Sequence, residues 1–274
     1  MLNLLRRALK SLSFRFRHFV DRRLHRLYGW HVGQEVNALL RSVGAKRVPK
    51  LGCVKKVLVT SYSNKAIPPL VVSSQNDVIN ALISPSYLWA PLRSASRAMH
   101  YQFIDMILAK SFDAFEYVII LDVDCVPYSQ SALDEMVSIA ERGVLVGVEQ
   151  VSPEHATGHY YVSPVACCIS KQVFDAIGRP SAMQDLNGDV MESFTFAAER
   201  AGVKISLIRV VDVVDQKLWK FPDGRDFGIG TVYGVGDRRL FFHNFCSSTK
   251  PEAMGRDHTR VFIDFCSAAL RGWA

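Results

Sequence analysis

The patterning of this chain implies an α/β protein: a mostly parallel sheet flanked by helices and preceded by an N-terminal amphipathic helical appendage. Three features point there. Short β-rich runs alternate with helix-period segments from residue 55 to about 215, as in a sheet whose strands are joined through helices. One run, "YVIIL" (117–121), is apolar throughout and reads as a strand covered on both faces. The basic charge is confined to the start. Residues 1–50 carry 12 Lys/Arg against two acids, a net +10, whereas residues 51–274 carry 21 against 24, a net −3. The chain therefore divides into residues 1–50, a basic amphipathic helical segment with its linker, and residues 51–274, one large domain.

The elements follow in order. Over residues 2–30, Leu2, Leu5, Leu9, Leu12, Phe16, Phe19, Leu24 and Leu27 recur at helical spacing, with arginines filling much of the rest. Such a helix can lie on an anionic membrane with its apolar face down, grip nucleic-acid phosphates, or dock on its own domain or another subunit. An Arg-rich, acid-poor start also resembles an organelle transit peptide. "GAKRVPKLGC" (44–53) reads as the linker, "KKVLVTSYS" as the first strand, "PLVVSS" as a second, and "NDVINALI" as a short helix. "SASRAMHYQFIDMILAKSF" has a helical period through Met99, Phe103, Ile107 and Leu108 and leads into "YVIIL". "SALDEMVSIAERG" opens on a serine cap and stops at Gly143, a helix with both signals. "VLVGVEQV" and "YYVSPVACCIS" are strands, "KQVFDAIG" and "DVMESFTFAAERAG" helices, "KISLIRVVDVV" a strand, and "RRLFFHNF" a last strand carrying His243. Residues 223–239 hold five glycines and are read as a mobile loop over the site. Trp219, just before them, is read either as a sugar-stacking ring or as packing.

Several classes are disfavoured. No apolar run reaches the roughly 18 residues of a membrane span, and arginines interrupt the apolar core a secretory signal needs. Six cysteines form no CxxC pair, and Cys167 and Cys168 are adjacent. They are expected to be reduced, buried thiols of a cytoplasmic protein, peripheral at a membrane surface if residues 2–30 bind lipid. There is no GxSxG nucleophile elbow, and the GxG at 228–230 lacks the preceding strand and following helix of a dinucleotide fingerprint.

The chemistry concentrates where "YVIIL" ends, in "DVD". Period-2 alternation sends Asp122 and Asp124 to one side and Val123 to the other. Two adjacent carboxylates repel and are costly to bury unless a positive charge lies between them. A divalent cation, Mg²⁺ or Mn²⁺, fits, and such ions complete their shells with substrate phosphates. The plain alternative is a solvated turn that caps the next helix, although Ser129 or Ser131 already serves that end. Arg93, Arg97 and His100 share roughly one face ahead of the strand, as donor-phosphate contacts or as a solvated surface.

"YVIILDVDCVP" resembles the DxD strand of GT-A-fold glycosyltransferases, which use nucleotide-sugar donors. The likeness runs from about residue 55 to 246. It implies a Rossmann-like GT-A domain in which Asp122 and Asp124 bind Mn²⁺ (or Mg²⁺) on the donor diphosphate, with Asp122 and Val123 against the donor. It further implies that Thr60, Ser61 and Tyr62, at the end of the first strand, hold the nucleotide; Arg97, from its place on the basic face, is read as a further donor contact. "LNGDVMESFTFAAERAG" resembles the segment bearing the acceptor-side carboxylate, which makes Asp189 the expected base and Glu192 an acceptor contact or alternate base. Common inverting members carry a Glu-Asp pair there, whereas this chain spaces Asp189 and Glu192 by three. "LFFHNF" resembles the late strand whose histidine completes the metal shell, here His243; a core histidine is the competing reading. An imidazole ligand implies a manganese preference. The expected function is transfer of a sugar to an acceptor hydroxyl of a glycan, a lipid-linked acceptor or a modified nucleic-acid base. Rival readings are a nucleotidyltransferase acting on sugar phosphates, and a non-catalytic membrane- or nucleic-acid-binding protein in which Asp122 and Asp124 are dispensable.

Overall fold

The computed structural model describes residues 32–42, 57–94, 100–152, 158–183, 188–245 and 258–273. The alternation of β4 (Tyr117–Asp122) sets its layers. Val118 and Ile120 enter one core cluster, Ile119 and Leu121 another, and all four are fully buried. β1 (Val57–Ser63) alternates in step, with Leu58 and Tyr62 on the first side and Val57 and Val59 on the second. A sheet buried on both faces requires helices on both. The first cluster takes in α1 (32–42) through Val32 and Val36, α3 (His100–Ser111) through Phe103, Ile104 and Ile107, and α6 (Glu192–Ala201) through Phe194. The second takes in α2 (Pro69–Leu82) through Ile79 and α4 (Gln130–Ala140) through Leu133, Met136 and Val137.

The remaining strands are β2 (Tyr87–Trp89), β3 (Leu92–Arg93), β5 (Cys125–Pro127), β6 (Leu145–Val151), β7 (Tyr160–Ser170), β8 (Ile205–Val213), β9 (Lys217–Lys220), β10 (Asp226–Val235) and β11 (Arg238–Asn244). The remaining helices are α5 (Lys171–Ala176) and a C-terminal α7 (Thr259–Trp273). The sheet runs β2-β1-β4-β7-β6-β8-β10-β11-β5, with β3 on β1 and β9 on β10. The α/β class is as expected, but the sheet is mixed. Parallel pairing is confined to β1 with β2, β3 and β4, and to β6 with β8. β7 lies antiparallel between β4 and β6, and β8, β10, β11 and β5 pair antiparallel. The reason is local: residues 152–159 between β6 and β7 are too few for a crossover, which takes a dozen or more.

Three readings of the sequence are corrected. "PLVVSS" is the first half of α2 and not a strand. Pro68 and Pro69 set its start, and Val71, Val72, Gln75, Val78 and Ile79 bury one helical face, which overrides the β-preference of the valines. Residues 223–239 are not a loop: they form β10, buried along most of its length, and the turn into β11. Glycine is there because backbones meet. A Cβ at Gly228 would lie 1.9 Å from the Gln216 carbonyl oxygen, and one at Gly234 2.1 Å from that of Arg238. Residues 32–42, within the segment read as an appendage, belong to the domain core, and Glu35 accepts a 2.6 Å hydrogen bond from the Ser94 hydroxyl. The amphipathic run over 2–30 lies outside the described residues.

Cys167 and Cys168 face opposite sides of β7, in different clusters, so they do not pair. Burial pushes the Cys167 thiol up to about 12. Among the described residues no helix is long and apolar enough to cross a membrane.

Candidate active site

Asp122 ends β4 and Asp124 sits in the turn that leads to β5. Buried Gln75 of α2 holds this turn from behind, its Nε2 donating to the carbonyls of Asp122 (2.6 Å) and Cys125 (2.8 Å). From the other side the Asn244 amide donates to the Asp124 carbonyl at 2.9 Å. The β5–β11 pairing sets His243 opposite Cys125, which brings a residue from the end of the domain to the DxD turn. One ligand atom from each of Asp122, Asp124 and His243 lies within 4.8 Å of the others. His243 Nε2 is 3.5 Å from Asp124 Oδ1, and Nδ1 is buried with no hydrogen-bond partner among the described residues. His100 approaches from α3, its Nδ1 3.8 Å from Asp122 Oδ1. Burial raises the Asp122 pKa above the usual carboxylate value; the nearby His100 opposes this, and Asp124 adds to it.

The donor set fits a divalent cation. Two carboxylate oxygens and one imidazole nitrogen suit Mn²⁺ or Mg²⁺. Ligand atoms at about 2.1 Å from one octahedral ion lie about 3 to 4.2 Å apart, so small side-chain adjustments suffice. The triad opens on a cavity of about 280 Å³, lined also by Val123, Gln150, Tyr161, Asp189 and Phe245. Val123 is nearly buried and packs with Val126 and Phe242.

Asp189 faces the triad across this cavity. It lies in a turn ahead of α6 whose every strut is a hydrogen bond. The Tyr161 hydroxyl donates to Asp189 Oδ2 (3.1 Å), the Val190 amide to Oδ1 (2.8 Å), and the Asp189 amide to Glu192 Oε2 (2.8 Å). Met191, next in the turn, holds φ 67°, the left-handed region that costs a side-chain-bearing residue about 1–2 kcal/mol. It is fully buried and its amide donates to the Ala182 carbonyl. Burial, then the neighbouring Asp189, pushes the Tyr161 hydroxyl well up, so it stays a donor.

The other expected residues are placed differently. Glu192 is fully buried, its two oxygens are taken by the Asp189 amide and by His159, and it does not line the cavity. The Thr60 hydroxyl is buried and donates to the Ala90 carbonyl at 2.7 Å. Ser61 is buried, and Tyr62 packs its ring on Phe103 and His100, with centroids 5.2 and 6.0 Å apart. None of these three lines the cavity. Arg97 lies outside the described residues. Trp219 packs on Phe227 and Phe245. Sequence reasoning missed Gln75, Gln150, Tyr161 and His159. The inward alternation of "YYVSPV" was the one available signal, for Tyr161; the others meet the site only in three dimensions.

No family model and no curated protein matches the chain. Solved structures do resemble it. A mannosyltransferase from Pyrobaculum calidifontis, in complex with GDP-Man and Mn²⁺, is 13% identical with a TM-score of 0.40, over 64% of this chain and 66% of its own, just under two thirds of that protein's length. A Drosophila β1,4-galactosyltransferase 7 mutant, with manganese, UDP-Gal and xylobiose, is 12% identical with a TM-score of 0.41, over 74% of each chain.

Proposed function

We propose that this chain is a metal-dependent glycosyltransferase of the GT-A kind, moving a sugar from a nucleotide-diphosphate donor to an acceptor hydroxyl, with residues 51–274, together with the packed helix α1, as its catalytic domain. One observation carries the reading: a carboxylate–carboxylate–imidazole triad and a separate, hydrogen-bonded carboxylate line the same cavity. In this reading Asp122, Asp124 and His243 would hold a divalent cation, Mn²⁺ or Mg²⁺. A cation held there would neutralise charge on the leaving diphosphate.

The chain's own groups supply the rest. Gln75 and the Asn244 amide hold the backbone of the DxD turn, so that only small side-chain adjustments would be needed for the two carboxylates to meet a cation. Asp189 accepts the proton of the acceptor hydroxyl as that oxygen attacks the sugar. The Tyr161 hydroxyl and Val190 amide fix the carboxylate's orientation. Val123 and Phe245 give the cavity apolar walls that exclude water. The basic run over 2–30 is proposed to recruit an acceptor at an anionic surface.

The test is a panel of nucleotide sugars with Mn²⁺, read by released nucleotide diphosphate and by melting temperature. A matching donor raises the melting temperature and turns over, and Asp124→Ala loses both. No shift with any donor, or full turnover by Asp124→Ala, sinks the reading. Removing residues 2–30 should spare donor hydrolysis and weaken transfer to the native acceptor.

A further inference from the structure

Gln150, near the end of β6, lines the cavity and takes no part in the chemistry described above. Pairing of β6 with β7 sets it opposite Tyr161, so the two side chains share a face of the sheet, and Ser163, two residues on, shares it too. The Ser163 hydroxyl donates to Gln150 Oε1 at 2.5 Å, and its oxygen accepts from the Val165 amide at 3.2 Å. Ser163 is fully buried. With its oxygen taken by an N–H and its proton given to Oε1, the serine fixes which end of the carboxamide is the acceptor. Nε2, the donor end, has no hydrogen-bond partner among the described residues and is open to solvent. We propose that Gln150 sets the sugar specificity of this site: its Nε2 donates to a hydroxyl oxygen of a sugar held between the metal triad and Asp189, and Ser163 is the positioning residue that aims it. This rests on the transferase reading and adds what the cavity recognises.

The polar lining is otherwise short of donors. Asp122, Asp124 and Asp189 accept as carboxylates. The Tyr161 proton is committed to Asp189, and His243 Nε2 faces Asp124. The remaining side chains of the lining are apolar. A sugar hydroxyl carries one proton to give and lone pairs that want a donor. Carboxylates meet the first need and leave the second unmet, and the aimed amide meets it. Three carboxylates around one cavity disfavour an anion away from the cation, so the ligand atom is a neutral hydroxyl and not a phosphate oxygen. A sugar without that hydroxyl leaves Nε2 unpaired, which is how a single polar group discriminates between substrates. The amide is itself neutral, so it competes neither for the cation nor for the proton that Asp189 accepts.

The test reads the Gln150 side-chain amide directly, by nuclear magnetic resonance of isotope-labelled protein. Its two N–H signals are assigned by correlation to the side-chain carbons and are absent in Gln150→Met, a variant of similar shape without the donor. The probes are free glucose, galactose, mannose and xylose, then UDP-glucose, UDP-galactose, UDP-xylose and GDP-mannose with Mg²⁺, with bare UDP and GDP as controls. At least one sugar or nucleotide sugar should shift these signals, and bare UDP and GDP should not. A shift with free sugar added over bare UDP or GDP assigns the hydroxyl to the acceptor; one seen only with a nucleotide sugar assigns it to the donor. Gln150→Met should bind that ligand about threefold to tenfold more weakly, with the melting shift from bare UDP or GDP unchanged. Ser163→Ala should weaken the same ligand less and add nothing in a Gln150→Met background, as coupled members of one chain of contacts do. Amide signals unmoved by every probe, or moved as far by bare UDP or GDP, overturn the proposal. So does wild-type affinity in Gln150→Met, and the wild-type signals decide the contact even where the variant folds poorly. If no nucleotide sugar turns over, the transferase reading fails, and the free sugars still decide Gln150.

Discussion

Asp122→Asn should stabilise the metal-free protein and abolish its response to metal. The ligand atoms of Asp122 and Asp124 lie within 4.8 Å. Two full charges at that distance repel by about 3.5 kcal/mol at an effective permittivity of about 20. His100 at 3.8 Å from Asp122 and His243 at 3.5 Å from Asp124 offset much of this, as does the raised pKa of Asp122. A net gain of about 1 kcal/mol remains, a rise of about 2–4 °C in melting temperature. The amide is nearly isosteric, and the Gln75 contact is to the backbone carbonyl, so the turn survives. With Mn²⁺ at about 100 times its Kd, the wild type should gain about 2.7 kcal/mol, and the variant little. The pH dependence has a definite sign. The folded state binds the Asp122 proton more tightly than the unfolded state does, mainly through burial, with His100 opposing and Asp124 adding. Stability from this group is therefore greatest at acid pH and is lost as pH rises from the ordinary carboxylate value through the raised one. The gap between variant and wild type should open over that window. Differential scanning fluorimetry in chelator and in Mn²⁺ measures all of this. If Asp122→Asn is the less stable protein in chelator, or gains as much from Mn²⁺ as the wild type, the two carboxylates are a solvated turn and the metal reasoning is wrong.

Gln75→Leu removes both donors behind the DxD turn and should cost about 2 kcal/mol while weakening Mn²⁺ stabilisation; urea melts with and without Mn²⁺ test this, and an unchanged metal response would remove Gln75 from the site's support. Gly234→Ala should destabilise by more than about 2 kcal/mol, because its Cβ meets the Arg238 carbonyl in a paired strand; a neutral result in thermal melts would restore the loop reading of residues 223–239. Arg225→Ala leaves Glu149, 1% exposed, without its ion pair and should cost about 3–5 kcal/mol in urea unfolding, whereas a loss under about 1 kcal/mol would show that the Val210 amide satisfies Glu149 alone.

The two strands with the strongest patterning, β1 and β4, were legible because each apolar position faces a fixed side of the sheet. Helical patterning together with a serine start for α4 and glycine stops located α4, α5 and α6. The readings that failed did so where local preference met a tertiary demand. The valines of α2 look like a strand until their helical face is seen to be buried. The glycines of β10 look like a loop until the neighbouring backbones are seen against them. β2, β3, β5 and β9, with two to four residues each, are too short for any period to show, and they exist through pairing alone.

The sequence alone determined the α/β class, the buried strand, and the two carboxylates at its end, because alternation and like-charge repulsion are local properties of adjacent residues. Only the tertiary structure decided which partners meet them. His243 reaches Asp124 through the pairing of β5 with β11, and Asp189 faces the cavity because a buried glutamate, a tyrosine and a strained methionine hold its turn. These partners come from distant parts of the chain, and hydrogen bonds and packing bring them together only once the sheet and helices are assembled.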